Sequence, residues 1–548
     1  MANGTAVLAD KSFYEEGTTK AKSGIAAWIF STDHKRIGLL YLFAIVTFFI
    51  VGVIIAELIR LELIAPGETI VDAETYNRLF TLHGVIMIFL FIIPGIPAIF
   101  GNFFLPIQIG AKDVAFPRLN LLSWWLYMTG AALALTSLFL PGGPADTGWT
   151  FYIPYSVRTG TNVTIALFAA FILGFSSILT GLNFVTTVHR LRAPGMTWFK
   201  MPLNIWALYA TAWIQVIATP IIGITLLLII VERTFGVGIF DPTLGGDPVL
   251  YQHLFWIYSH PAVYVMILPA MGVVSEIIAT FSRRTVFGYK MVAFSSLTIA
   301  FVGYLVWAHH MFTSGLSETA AVLFSLLTFV VAIPSAIKVF NWIATMYKGS
   351  IDPRTPFKWV MVFIFLFSIG GLTGLVLGSL ATDVHLHDTY FVVAHFHFVM
   401  FGGAGTIFIA AMHYWFPKMF GRMYNEKIAD LGVYMFLVSF LTLYFPMFLL
   451  GYNGQPRRYF DYLPQFQTLH VISTIGAWMM LITLTLIIWN LINALRKGEK
   501  APANPWGGVT LEWQTSSPPP LENFEEIPEI TGEAYDFSKL KGTEYGLK

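Results

Sequence analysis

Six histidines are the main candidates for chemistry in this sequence. Each lies inside or at the end of a long apolar run, where a polar side chain is costly and usually has a function. They are His83, His260, His309, His310, His395 and His397. Imidazole is the usual protein ligand for haem iron and also suits copper. Two axial imidazoles make a closed, electron-transferring haem, whereas one leaves an iron open to oxygen. One such histidine alone is more often a hydrogen-bonded core residue, but six together favour a metal centre.

The spacing of these residues refines the prediction. His395 and His397 are two residues apart, which on a helix directs them to nearly opposite faces, so one helix could serve two cofactors. His260 and Tyr264 are four apart and share a face, so the phenol can lie beside whatever the imidazole binds. The chain has no cysteine, which excludes a disulfide, an iron–sulfur cluster, a thiolate-bound copper and a covalently attached c-type haem.

Twelve long apolar runs must position these residues. Of the 548 residues, 56% are apolar and only 11% are charged, which indicates that lipid is the solvent. The near balance of 32 basic and 31 acidic residues argues against a nucleic-acid binder. Each run can supply the about 20 apolar residues that a membrane helix needs. The runs cover residues 38–59, 79–104, 121–140, 162–187, 205–231, 254–280, 289–310, 317–345, 358–380, 389–413, 430–450 and 468–494.

This pattern predicts an all-α polytopic membrane protein, a bundle of twelve transmembrane helices, because no run shows the period-two alternation of a membrane barrel. Lysine and arginine concentrate in the loops after even-numbered runs, which predicts that these loops and both termini are cytoplasmic. With this orientation, the histidines of four runs lie at one depth, roughly 9 Å below the outer boundary. A secondary transporter also has twelve spans, with histidines as proton relays.

Three domains are predicted along the chain. Residues 1–37 form a cytoplasmic N-terminal segment, which carries scattered charges and no apolar core and is therefore not a signal peptide. Residues 38–494 form the twelve-helix domain. Residues 495–548, with three consecutive prolines and many acidic residues, form an extended cytoplasmic tail.

Three ordered segments carry a resemblance to a known family. They are Trp-Ile-Tyr-Ser-His-Pro-Ala-Val-Tyr (256–264), Trp-Ala-His-His (307–310) and His-Asp-Thr-Tyr-Phe-Val-Val-Ala-His-Phe-His (387–397). They resemble the signature segments of subunit I of the haem–copper oxidases, in the cytochrome c oxidase branch, and the likeness runs nearly end to end. The resemblance implies the fold of that subunit and a proton-translocating oxidoreductase of the respiratory chain. It would reduce dioxygen to water with four electrons and pump protons across the bacterial inner membrane.

The resemblance implies two haems of the haem A type. His83 and His397 would be the axial ligands of a low-spin haem, and His395 would be the single ligand of a high-spin haem. Arg60 looks like the arginine that pairs with the formyl group of haem A.

A copper ion, CuB, is implied opposite the open iron. His260, His309 and His310 would bind it, and Tyr264 would be cross-linked to His260.

Polar residues above the haems match further family positions. His387 and Asp388 resemble the ligands of a magnesium ion. Trp149, Arg457 and Arg458 would hold the haem propionates, although the arginine pair alone could equally be a surface anchor.

Lys338 lies inside the eighth run and shares a helical face with Thr328 and Ser335. Taken alone, it could extend its ammonium along the helix to the membrane surface. With the resemblance, Lys338, Thr328 and Ser275 look like the K-pathway, which carries protons toward Tyr264.

Asp113 lies in a loop, where a solvated carboxylate needs no explanation. The resemblance makes it the mouth of the family's D-pathway, whose polar series would be Asn102, Asn120, Ser176, Ser177 and Asn183. The commonest pattern ends this route with a glutamate, but this chain has Ala262 there. It carries Tyr258 and Ser259 instead, as in a bacterial subgroup, and a hydroxyl can relay a proton but does not store one as a carboxylate can.

The resemblance also implies partners. Because the chain lacks cysteine, a thiolate-bridged CuA centre must belong to subunit II. The implied set also includes subunit III, small subunits, membrane lipids and cytochrome c as the electron donor, without nucleic acid. A quinol oxidase of the same family is the nearest alternative, although its quinol-binding pattern is not evident. A nitric oxide reductase would be expected to lack Tyr264 and Lys338.

Overall fold

Twelve helical segments form the body of the computed structural model, which describes residues 11–15 and 24–540. They are α1 (His34–Glu62), α2 (Ala73–Gln108), α3 (Pro117–Thr136), α4 (Val163–Arg190), α5 (Leu203–Phe235), α6 (Pro248–Ser282), α7 (Tyr289–Leu305), α8 (Glu318–Met346), α9 (Thr355–Gly378), α10 (Tyr390–Phe420), α11 (Glu426–Tyr452) and α12 (Pro464–Lys497). All except α3 and α7 are long and apolar enough to cross a membrane. The predicted all-α membrane bundle is confirmed.

Short elements connect these helices. They are Ile25–Ile29, Tyr155–Arg158, Trp198–Lys200, Pro242–Leu244, Trp307–Met311, Leu380–Leu386, Leu511–Trp513 and Phe537–Leu540. Within the described residues, the β structure consists of two isolated bridges, Thr389 with Pro456 and Arg422 with Lys500. Residues 1–10 and 16–23 of the predicted segment 1–37 lie outside the described residues.

Most helices extend beyond their apolar runs because their first turns are polar caps. The Asp33 side chain accepts the backbone N–H of Lys35 at the start of α1, and Asp72 accepts that of Thr75 at the start of α2. Ser317 caps α8 in the same way. A capping residue satisfies the free N–H groups of a helix without adding hydrophobicity, so an apolar run underestimates the helix.

The seventh run, predicted as one segment over 289–310, is divided in the structure. Its α-helix ends at Val302, and two 3₁₀ turns follow, over Gly303–Leu305 and Trp307–Met311. Gly303 lies against the ring of Tyr264, where an added Cβ would approach Cδ2 to 2.6 Å. This close approach requires glycine. His309 and His310 lie on the second 3₁₀ turn rather than on α7.

Two helices contain π-helical turns. In α2 these turns cover Ile86–Ile92 and Gly95–Gly101, and in α10 one covers Met400–Gly405. The first begins three residues after His83, and the last begins three residues after His397. Such wide turns are rare and frequent at functional sites.

The C-terminal tail, residues 498–540, packs across one end of the bundle. Trp506, Trp513 and Tyr535 are each at most 2% exposed. The Nε1 atom of Trp506 donates to the Tyr414 carbonyl near the end of α10. We call this the tail end of the bundle, and the opposite end, where α2 and α10 begin, the histidine end.

Candidate metal centre

Three imidazoles converge near the histidine end. His260 comes from α6, and His309 and His310 come from the 3₁₀ turn after α7. The nitrogen atoms that these rings can offer to a metal lie within 4.8 Å of one another. The Nδ1 atom of His260 is 3.2 Å from Nε2 of His310. Three neutral imidazoles arranged in this way suit a copper or zinc ion.

Neighbouring side chains hold two of these rings. Thr328 of α8 donates its hydroxyl hydrogen to the Phe324 carbonyl, so its Oγ1 accepts the hydrogen of Nδ1 of His309, 3.0 Å away. This leaves Nε2 of His309 with a free lone pair. The His310 ring stacks on Trp256, with centroids 3.8 Å apart and planes 9° from parallel. The rings are therefore oriented by the protein itself.

Tyr264 lies beside this group. Its ring centroid is 4.8 Å from that of His260, at an angle of 66°. The Nε2 atom of His260 is buried and has no hydrogen-bond partner. Because a buried polar atom without a partner is costly, we expect this nitrogen to form a further bond.

The other three histidines share one arrangement. Nδ1 donates to a backbone carbonyl in each: His83 to Gly52 at 3.0 Å, His395 to Gly370 at 3.0 Å and His397 to Val393 at 2.8 Å. Since a carbonyl can only accept, Nδ1 carries the hydrogen and Nε2 keeps its lone pair. This is the tautomer and orientation of a metal-binding histidine. Sequence reasoning could not find these backbone partners.

His395 and His397 leave α10 on different sides. Thr373 of α9 lies 3.1 Å from Nδ1 of His395, and a Cβ at Gly374 would approach the same ring to 3.1 Å. The His397 ring stacks on Tyr444 of α11, with centroids 4.5 Å apart. The two rings can therefore serve different ligands, which is what their spacing of two residues predicts.

Arg60 is nearly buried at the end of α1. Its guanidinium donates to the His470 carbonyl at 2.7 Å and to Thr474 Oγ1 at 3.1 Å, both on α12. Its Nε is buried without a partner. A buried guanidinium with one unused donor is suited to a polar group of a large ligand. His470 and Thr474 were missed in the sequence because only the packing of α12 brings them to Arg60.

A polar group lies between α9, α10 and the loop after α11. Nδ1 of His387 is 2.9 Å from Asp383, and Arg457 is 3.1 Å from the exposed Asp388 carboxylate. Burial lowers the pKa of His387, but the bond to Asp383 and the two acidic charges outweigh it and raise the pKa above its usual value. Asp383, four residues before His387, was missed although that spacing on a helix is a usable signal.

Arg458 and Trp149 lie near His83. Arg458 donates to Thr150 Oγ1 at 3.4 Å, and its guanidinium lies over Phe80 at 5.9 Å. Burial, together with the charge of Arg457, lowers the pKa of Arg458 to about 9. Trp149 packs against Gly84, where an added Cβ would be 3.2 Å away.

Lys338 does not extend to the surface. It is 1% exposed, and its Nζ donates to Ser296 Oγ of α7 at 2.7 Å. Ser275 instead accepts from Trp342 Nε1 at 2.9 Å, and Ser335 donates to a carbonyl of its own helix. Thr328 lies at the histidine end, where it forms a hydrogen bond with His309. Ser296 was missed because it lies on another helix.

Asp113 is half-buried rather than freely solvated. Its carboxylate accepts the backbone N–H of Val114 at 2.6 Å. Burial, reinforced by the charge of Asp33, raises its pKa to about 8. Asn183 fixes the same loop, because its Oδ1 accepts the backbone N–H of Phe116 at 2.9 Å.

Two buried amides continue from this loop into the bundle. Neither side-chain atom of Asn120 has a hydrogen-bond partner, and Oδ1 of Asn102 also lacks one. Unpartnered buried amides are typical of sites that hold internal water.

A cluster of hydroxyl-bearing side chains lies next along this series, between α1, α3 and α4. Ser176 donates to the Ser123 carbonyl at 2.7 Å, and the Tyr41 hydroxyl lies 3.2 Å from Ser176 Oγ. Ser177 is half-buried, and Tyr258 and Ser259 are buried on α6. Tyr41 and Ser123 were missed, since a hydroxyl on an apolar helix is common without a pathway.

Comparisons with known proteins give consistent results. The model of the family described as "Cytochrome C and Quinol oxidase polypeptide I" matches residues 36–479. The chain is 43% identical over 509 residues to cytochrome c oxidase subunit 1 of Thermostichus vulcanus, covering 93% of this chain and 92% of that one. It is 41% identical over 536 residues to the protein of the same name from Cereibacter sphaeroides, covering 91% and 95%.

A solved structure is also similar. It is described as a cryo-EM structure of a heme-copper terminal oxidase dimer, and it matches with a TM-score of 0.69 over 85% of this chain and 84% of that one. At 20% sequence identity, this likeness concerns the fold alone.

Proposed function

Because this chain belongs to the family of cytochrome c and quinol oxidase polypeptide I, we propose that it is the catalytic subunit of a cytochrome c oxidase. The reaction joins dioxygen with four electrons and four protons to give two molecules of water. The observation that carries the proposal is the convergence of His260, His309 and His310. A quinol oxidase is the alternative within the family, but the relatives described above carry the cytochrome c oxidase name.

His260, His309 and His310 would hold the copper ion CuB. Thr328 and Trp256 orient the rings of His309 and His310, so little side-chain freedom remains to be lost on binding. The buried, cysteine-free surroundings and three imidazoles fit copper in this position.

Two haems of the A type would be held by the other histidines. His83 and His397 would bind the low-spin iron and His395 the high-spin iron, each through Nε2, which the carbonyl bonds leave free. Arg60 would donate its unpartnered Nε to the formyl group. The bound irons and copper supply electrons for the cleavage of dioxygen.

Tyr264 would donate a proton from its phenol oxygen during the reaction. The proximity of its ring to His260 and the unpartnered Nε2 of that histidine support a covalent bond between them. Forming this bond removes one hydrogen from each ring, and dioxygen supplies the oxidant.

Magnesium and the haem propionates would occupy the polar group at the histidine end. His387 and Asp388 would bind the ion, with Asp383 orienting His387. Trp149, Arg457 and Arg458 would bind the propionates, whose negative charge suits the paired guanidinium groups. The lowered pKa of Arg458 is consistent with a cation that awaits an anionic partner.

Two proton routes would lead from the tail end. One would pass Ser275, Ser335, Lys338 and Thr328 to Tyr264, and the buried ammonium of Lys338 with its Ser296 acceptor supports it. The other would begin at Asp113 and pass the series Asn102, Asn120, Ser176, Ser177 and Asn183 to Tyr258 and Ser259. The unpartnered amides of Asn102 and Asn120 support internal water on this second route. The second route would also serve proton pumping.

The complex would place the chain in the bacterial cytoplasmic membrane with both termini on the inner side. The N-terminal segment 1–37 and the tail 495–548 would flank the catalytic domain 38–494. Subunit II would carry CuA, since this chain has no cysteine for bridging thiolates. Subunit III, small subunits, lipids and cytochrome c would complete the assembly.

The experiment that tests this function is a reduced-minus-oxidised absorption spectrum of the purified complex, with haem extraction and copper analysis. We expect two haems in each catalytic subunit, and we expect His309→Ala to lose CuB while keeping the low-spin haem bands. A colourless protein, or full copper content and oxygen consumption in His309→Ala, would refute the assignment and favour a transporter.

A further inference from the structure

Two carboxylates are buried together at the tail end, away from the metal centre. Glu276 lies near the end of α6 and is 1% exposed. Glu512 lies on the short turn Leu511–Trp513 of the C-terminal tail and is 0% exposed. Neither belongs to the proton routes described above. Burial of two carboxylates side by side is costly unless their charge is compensated.

A chain of hydrogen bonds connects the two. Glu276 Oε1 accepts the backbone N–H of Asn204 at 3.0 Å and the hydroxyl of Tyr535 at 2.6 Å. The Asn204 side chain donates to Gln108 Oε1 at 2.9 Å, and Gln108 donates to Glu512 Oε1 at 2.9 Å. The group thus joins α2, α5 and α6 to two separate parts of the tail.

The charges around this group do not balance if both carboxylates are ionised. Among residues 11–15, 24–538 and 540, no cation lies within ion-pair distance of either Glu276 or Glu512. The cation whose charge acts on Glu512 is Lys418, and its ammonium donates to the carbonyls of Ala503 and Thr515. One ammonium can compensate one carboxylate, so a second negative charge would remain.

The remaining groups around the pair are neutral or otherwise paired. The phenols of Tyr289, Tyr414 and Tyr535 face it, and none can supply a positive charge. Arg283 and Arg354 contact the tail at the carbonyls of Trp506 and Pro505, and both pair with Asp352.

Two acceptors in the group lack a donor. Glu512 Oε2 and Asn204 Oδ1 are both buried without a hydrogen-bond partner. The Thr510 hydroxyl, which is also buried without a partner and acts on Glu512, can supply one donor. A protonated carboxyl group contains a second O–H donor, whereas two carboxylates would only add acceptors. Burial also raises the pKa of Glu512.

We propose that Glu276 and Glu512 bind one proton between them at neutral pH, and that this proton holds the C-terminal tail on the bundle. The inference rests on the packing of the tail and is independent of the proposed oxidase function. A carboxyl group with a raised pKa contributes stability that is complete in acid and is lost as the pH rises through that pKa. The tail should therefore be held most firmly in acid and released at alkaline pH.

The test is infrared spectroscopy of the complete complex in lipid, with isotope-labelled glutamate to identify the carbonyl stretch of a protonated carboxyl group. We expect one such band at neutral pH that disappears as the pH is raised. Glu276→Gln and Glu512→Gln should each abolish it, because the single remaining carboxylate can ionise. Glu533→Gln, which changes an exposed tail glutamate, should leave it unchanged.

Limited proteolysis of the tail provides a second measurement if a variant assembles poorly. In the unmodified complex, cleavage of the tail should increase as the pH rises toward the range in which the band is lost and should level off above it, and Glu512→Gln should abolish this dependence. The proposal is overturned if no glutamate band titrates, if either glutamine variant keeps it, or if cleavage of the tail is independent of pH.

Discussion

The Oγ1 atom of Thr328 lies 3.0 Å from Nδ1 of His309. This contact connects a candidate copper ligand on a short 3₁₀ turn to the long helix α8. The turn contributes few hydrogen bonds of its own, so the orientation of His309 depends on α8.

Removing this hydroxyl should weaken copper binding. Thr328→Val keeps the shape of the side chain but leaves the Nδ1 hydrogen of His309 without its acceptor. Because such supporting bonds are worth about 10- to 100-fold in metal affinity, we expect copper content to fall after dialysis against a chelator. Thr328→Ser, which retains the hydroxyl, should restore it. Equal copper retention in both variants would contradict this role.

The buried ammonium of Lys338 should depend on Ser296. Ser296→Ala removes the acceptor 2.7 Å from Nζ, and an unsatisfied buried donor costs about 1–3 kcal/mol. We expect a several-fold lower rate of oxygen consumption with unchanged haem spectra. Ser295→Ala, a change at the adjacent buried serine, is the matched control. If Ser295→Ala slows turnover as much as Ser296→Ala, the effect comes from packing rather than from the ammonium.

Asp113 should make stability dependent on pH between about 4, the usual pKa of an aspartate, and about 8. Its folded pKa, raised to about 8 by burial, exceeds the usual value of the unfolded chain, so the folded state binds the proton more tightly. The contribution is complete below the unfolded pKa of about 4 and is lost progressively as the pH rises from there to about 8. We expect the unfolding temperature of the parent to fall across this range and that of Asp113→Asn to fall less. Glu525→Gln, at an exposed carboxylate, should behave as the parent.

Gly303 should be intolerant of a methyl group. In Gly303→Ala, the added Cβ would lie 2.6 Å from Cδ2 of Tyr264, so the phenol ring or the turn must move. We expect a loss of oxygen consumption and a changed high-spin haem spectrum with a retained low-spin spectrum. Gly371→Ala has open space around its Cβ and should leave both spectra as they are. An unaltered high-spin spectrum in Gly303→Ala would show that Tyr264 tolerates displacement.

The sequence predicts the membrane bundle because each helix that crosses the lipid needs about 20 apolar residues, and such runs can be read directly from the chain. Depth along each helix places the six histidines at one level, whereas the grouping of His260, His309 and His310 is implied by the resemblance to the oxidase family. The sequence does not predict Ser296, Asp383 or the backbone acceptors of His83 and His395. These partners come from neighbouring helices or from the main chain, whose positions depend on packing between elements. The division of α7 was also missed, and so was the close packing of Gly303 against Tyr264, which lies on another helix.

The wide turns after His83 and His397 have a geometric consequence for the whole bundle. A π turn accommodates one more residue than an α turn over the same rise, so it rotates everything below it by roughly the 100° that one residue subtends. In α2 and α10, the half that carries a histidine and the half that meets the tail therefore keep independent angular phases. A substitution that changes the direction of the side chains in one half can leave the other half unchanged. The position of the histidine and the contact with the tail can therefore be adjusted separately within one helix.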